Sequence, residues 1–94
     1  MVTPDDIPDP HDLGVRSLVN GEIRQDSSTS QLIFSVPQLV SFCSHTFSLE
    51  PGDVIATGTP AGVALGTGAY LKPGDVVTVE IEGLGSLTNE VVAL

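Results

Sequence analysis

Ninety-four residues carry Lys+Arg 3 against Asp+Glu 12, a formal net charge of -9 with a pI near 4.1. The length suits one domain of the usual about 100–200 residues. Only Arg16, Arg24 and Lys72 are basic, which excludes a nucleic-acid binder and disfavours an anionic membrane surface, because both draw their affinity from Lys and Arg.

Hydrophobic residues at 40% and a mean hydropathy of +0.26 mark a chain that folds. A single cysteine, Cys43, makes neither an internal disulfide nor a zinc cluster, so a reducing, cytoplasmic compartment is expected. No run approaches the about 20 apolar residues of a membrane span. The acidic, Pro-rich start, Met-Val-Thr-Pro-Asp-Asp-Ile, is the opposite of a signal or transit peptide.

In chain order, residues 1–14 form an acidic lead-in with Pro4, Pro8 and Pro10, which push the chain to extended conformations. Such a start is expected of a segment of something longer. Val15–Val19 and Glu22–Gln25 flank Asn20-Gly21, a strong signal for a hairpin closed by a type I′ turn. Asp26–Ser30 reads as a polar loop. Ser35 and Gln38 then form a capping box, and Phe34 with Leu39 a hydrophobic staple, for a helix at about 36–46. Its buried face is expected to be Val36, Leu39, Val40, Cys43 and Phe47.

Beyond the helix the pattern is β. Val54–Thr57 reads as a short buried strand, Val76–Glu82 as a period-2 strand, and Ser86–Val92 as its partner after the Gly83-Leu84-Gly85 turn. Leu-x-Pro-Gly-Asp occurs at 49–53 and again at 71–75; two five-residue copies reflect turn chemistry rather than duplication. The chain is mainly β, a β-rich α+β fold with one short helix.

Chemical signatures are sparse. There is no P-loop, nucleophile elbow, His-Glu-x-x-His or Cys-x-x-Cys. His45 at a helix end suits the dipole there, and Cys43 on the apolar face reads as a small hydrophobe. Glu80 and Glu82 share a strand face and could attract a hard cation, but a solvated outer face opposite Val77, Val79 and Ile81 explains them better. Thr57-Gly58-Thr59-Pro60-Ala61-Gly62-Val63 is the most informative stretch. Its amides and hydroxyls could embrace an anionic or carbonyl oxygen, although on the residues alone it passes for an ordinary glycine loop between strands.

The order of these segments changes that weighting. Val19-Asn20-Gly21-Glu22, Arg24-Gln25, Thr29–Val36, Leu49-x-Pro51-Gly52-Asp53-Val54-Ile55, Thr57-Gly58-Thr59-Pro60-x-Gly62-Val63, Leu71-x-Pro73-Gly74-Asp75 and Val79–Gly85 together resemble the C-terminal portion of the fumarylacetoacetate hydrolase family. The resemblance covers almost the whole chain, with residues 15–94 as the C-terminal part of the catalytic domain. It implies a mixed β-sandwich or roll, homodimers, and hydrolysis, decarboxylation or isomerisation of β-diketo acids, acylpyruvates and related dicarboxylates. It also implies Mg2+ or Mn2+ held by carboxylates. Gly58, Thr59 and Pro60 match the family's substrate-contacting loop, with Thr59 the one candidate catalytic residue. The family's metal-binding Glu-x-Glu, its catalytic His and its Lys match nothing in this sequence, so no metal ligand is assigned here and the isolated chain is expected to be inactive. Ala64 replaces a usual Gly, and Leu65–Tyr70 is shorter than the family's segment and lacks its Pro and Arg. The competing reading is a non-catalytic β-rich domain that self-associates or binds a partner through open strand edges.

Overall fold

Asn20 and Gly21 both take positive φ, 52° and 79°, the geometry that lets a two-residue turn follow the right-handed twist of its strands. They join β1 (Gly14–Val19) to β2 (Glu22–Ser28) in a computed structural model that describes residues 2–94. Helix α1 (Val36–Thr46) and a one-turn helix α2 (Ala64–Thr67) follow, then β3 (Val76–Ile81) and β4 (Gly85–Glu90). The four strands form one antiparallel sheet in the order β2-β1-β3-β4. Its registers align Ser27, Val15 and Ile81 across one face, and Gln25, Ser17 and Val79 beside them. The opposite face aligns Asp26, Arg16 and Glu80.

The helix begins where its capping residues place it. The Ser35 amide donates to Gln38 Oε1 at 2.8 Å and the Gln38 amide to Ser35 Oγ at 3.5 Å, satisfying donors that the first turn leaves open. Within its expected apolar stripe only Leu39 and Cys43 are half-buried, while Val36, Val40 and Phe47 lie exposed. Among the described residues no side chain is fully enclosed.

Two expectations are corrected, and one further short helix is found. Val54–Thr57 is irregular, not a strand: no described strand pairs with it, and Val54 is 91% exposed. Asp26–Ser28 is not loop but the end of β2, because its backbone pairs with Gly14–Arg16 and a sheet edge tolerates polar side chains. Leu65–Tyr70 contains most of α2, which Gly68 ends in the left-handed conformation at φ 73°.

The two Leu-x-Pro-Gly-Asp segments are superimposable in their bonding. Asp53 and Asp75 each accept the amide three residues back, from Glu50 and Lys72, at 2.8 Å, and Gly52 and Gly74 take φ of 101° and 91°, as position i+2 of a type II turn demands. Only the second turn is latched to the sheet. Asn20 Nδ2 donates to Asp75 Oδ1 and Asn20 Oδ1 accepts the Val76 amide, both at 2.9 Å.

The Asn20 amide, followed by the Lys72 backbone amide, holds the Asp75 carboxyl below its ordinary range. A carboxylate whose folded value is depressed binds protons more readily unfolded. Its contribution is therefore complete above the unfolded value of 3.8 and disappears as pH falls through the lower folded value. Asn20→Ala should move the Asp75 carboxyl back toward its ordinary value, read from its carboxyl carbon NMR titration; an unmoved titration would discount the latch.

Candidate functional site

Strand β2 carries one residue more than β1 can pair. Ser17 lies opposite Gln25 and Leu18 opposite Ile23, which leaves Arg24 as a bulge. The loop 57–62 sits on that bulge. Gly62, at φ 109°, is packed so closely that a Cβ would overlap the Arg24 carbonyl oxygen and stand 3.0 Å from Gln25 Cγ. Here glycine serves both close approach and positive φ.

Gln25 completes the attachment. Its Nε2 donates to Thr59 Oγ1 and to the Pro60 carbonyl oxygen, both at 2.8 Å, and its Oε1 accepts the Ser17 hydroxyl at 3.0 Å. Both N–H donors and one of the two oxygen lone pairs of the carboxamide are thereby engaged. Thr59 thus has one defined partner beneath it.

Above the attachment lies an open cleft of about 590 Å³. Thr57–Ala61 form one wall, and Val15, Ser27, Leu32, Phe34 and Ile81 contribute to the others. Gly58, at φ 103°, has nothing within 4 Å of where a Cβ would stand, so a ligand can approach this backbone closely. The structure therefore brings Gly58, Thr59 and Pro60 together at one cleft, which Thr29 and Thr57 also line in a largely apolar surround.

The carboxylates stand elsewhere. Arg16, Asp26, Glu80 and Glu82 gather at a separate hollow on the opposite face. Arg16 Nε meets Asp26 Oδ1 at 3.2 Å and Glu82 Oε2 accepts the Gly14 amide at 3.0 Å. Among the described residues no group of three His, Cys, Asp or Glu is arranged to hold a metal ion, so a divalent cation does not fit the side chains present. His11 contacts Asp9 in the lead-in, and His45 Nδ1 lies 2.7 Å from the Ser41 carbonyl oxygen within α1; neither lines the cleft. No described helix is long and apolar enough to cross a membrane.

Gln25 is the residue that sequence reasoning passed over. It stands in the Arg24-Gln25 pair that contributed to the family resemblance, but nothing local marks the bulge or a partner 34 positions away.

Sheet, bulge and loop together define a β-rich α+β fold with a loop-walled cleft. Comparison with known proteins gives that class its family. Residues 1–92 match the family description "Fumarylacetoacetate (FAA) hydrolase C-terminal", and the chain belongs to that family. It is 50% identical to the 4-hydroxyphenylacetate degradation bifunctional isomerase/decarboxylase of Escherichia coli, over 99% of this chain and 20% of that protein. The fumarylacetoacetate hydrolase of Exiguobacterium antarcticum superimposes with a TM-score of 0.93 at 48% identity, over 99% of this chain and 34% of the other. The maleylpyruvate hydrolase of Sphingobium sp. SYK-6, solved with manganese(II) and pyruvate, gives 0.90 at 34% identity, over 98% and 33%. The chain thus spans between a fifth and about a third of these relatives.

Proposed function

We propose that these residues are the C-terminal portion of a metal-dependent, cytoplasmic and homodimeric enzyme. Its substrates are β-diketo acids, acylpyruvates or related dicarboxylates, which it cleaves hydrolytically at a carbon–carbon bond, decarboxylates or isomerises. The carrying observation is the Gly58-Thr59-Pro60 wall of the cleft, fixed from below by Gln25 and open above. Relatives that are an isomerase/decarboxylase and hydrolases support the reaction range, and a manganese complex of one supports a divalent metal. In this reading the Mg2+ or Mn2+ is held by carboxylates elsewhere in the complete enzyme, and the 94 residues alone are inactive.

Within that frame Thr57 and Thr59 supply hydroxyls, and Gly58 accessible backbone, to a carboxylate or keto oxygen. Such donors count most where they meet charge that develops during reaction. Thr59→Val in a complete family enzyme carrying these residues should lower kcat by about tenfold or more, the value of a hydrogen bond to a charged group, while Thr59→Ser retains most activity. Because Thr59 is exposed, thermal stability should change little. Unaltered kinetics for Thr59→Val would remove it from the site.

Strand β4, exposed along its whole length, favours one second reading, a self-associating domain without catalysis. In-frame coding sequence upstream for a Glu-x-Glu and a Lys-containing segment would decide for the enzyme.

A further inference from the structure

We propose that Gln25 is a positioning residue that holds the Thr59 hydroxyl as a one-way hydrogen-bond donor toward the cleft, an inference that rests on the Thr59 reading above. The orientation of the Gln25 amide follows from its neighbours. The Pro60 carbonyl oxygen, 2.8 Å away, only accepts, so the group facing it is the Nε2 amine. The same amine lies 2.8 Å from Thr59 Oγ1. An amine of this kind only donates, and Thr59 Oγ1 is therefore the acceptor. On the other side Ser17 Oγ, 3.0 Å from Oε1, can only be the donor there.

A threonine hydroxyl has one hydrogen to give. With its oxygen already accepting from beneath, that hydrogen is left for whatever occupies the cleft. The group it serves best is an oxygen with lone pairs and no hydrogen: a carboxylate, a keto oxygen or an enolate. A ligand hydroxyl or ammonium group approaching as donor would have to compete for the remaining lone pair. Selection for an acceptor oxygen is thus built into the β1–β2 pair, through the relay Ser17 to Gln25 to Thr59, before any substrate arrives. The bulge at Arg24 and the seat of Gly62 on its carbonyl hold the two segments in register.

The test compares Gln25→Met and Gln25→Glu with Thr59→Val in a complete family enzyme carrying these residues. Methionine fills the space without donating. Glutamate is isosteric, but both its oxygens accept, so it captures the Thr59 hydrogen and turns the hydroxyl away from the cleft. Both should lower kcat by about tenfold or more, with Gln25→Glu the more damaging of the two, and both should weaken oxalate binding in a calorimetric titration. Combined with Thr59→Val, either Gln25 change should add little, because it acts through a hydroxyl already gone. A purely structural role would instead give fully additive losses, and that result overturns the proposal. If Thr59→Val is impaired while both Gln25 variants keep full activity and oxalate affinity, the positioning role falls and the Thr59 reading stands. Wild-type activity in Thr59→Val removes both.

Discussion

Gly62→Ala is expected to unseat the loop 57–62. The added methyl meets the Arg24 carbonyl oxygen, which cannot withdraw because it belongs to the bulged backbone of β2. The backbone also stands at φ 109°, where an L residue is strained. The two effects together should cost about 2–4 kcal/mol, combining left-handed strain with overpacking. Gly58→Ala is the control. It has a similar φ of 103° but open space around its Cβ position, so only the backbone cost of about 1–2 kcal/mol applies. Urea midpoints of both variants in a complete family enzyme measure the difference, and faster amide exchange at Thr59 and Ala61 would locate it. Equal losses in the two variants would show that contact with the bulge carries no weight.

The second large effect concerns the 94 residues by themselves. Ile33 is 90% exposed, Phe42 74% and Leu87 66%, and no described side chain is fully enclosed. Each large apolar side chain gains about 1.5–3 kcal/mol when covered, so several such contacts outweigh the ordering they require. Strand β4 adds an edge with unpaired backbone groups. Self-association is therefore expected in light scattering. A net charge of -9 opposes it, and association should strengthen as salt screens that repulsion. A monodisperse monomer at both low and high salt would show that this surface needs no cover.

What the sequence made legible were features whose causes are local. Ser35 and Gln38 announce a helix within four residues of each other, and Asn20-Gly21 announces a turn through the conformations those two residues tolerate. Alternation in Val76–Ile81 marks a strand because one face is apolar and the other carries Glu80. Val54–Thr57 misled for the complementary reason: its residue types suit a strand, but a strand exists only with a partner, and none of the described strands pairs with it. Asp26–Ser28 misled in the other direction, since pairing with β1 decides its conformation over its polarity. The site divides along the same line. Gly58, Thr59 and Pro60 stood out by composition, whereas the attachment of Thr59 to Gln25 depends on a register shift that no short stretch encodes.

That shift has a meaning for chain length. A strand assigns its side chains to alternate sides by counting, and the bulge changes the parity of the count between Ile23 and Gln25. In a regular ladder Arg24 would take the place opposite Ser17, and Gln25 would point away from the loop it now secures. The geometry of the cleft floor is thus stored as an odd number, one residue inserted into an otherwise even alignment. Deleting Arg24 would restore an even ladder with Gln25 still opposite Ser17, yet it would take away the bulged carbonyl on which Gly62 is seated, so the side of the support survives and its height is lost.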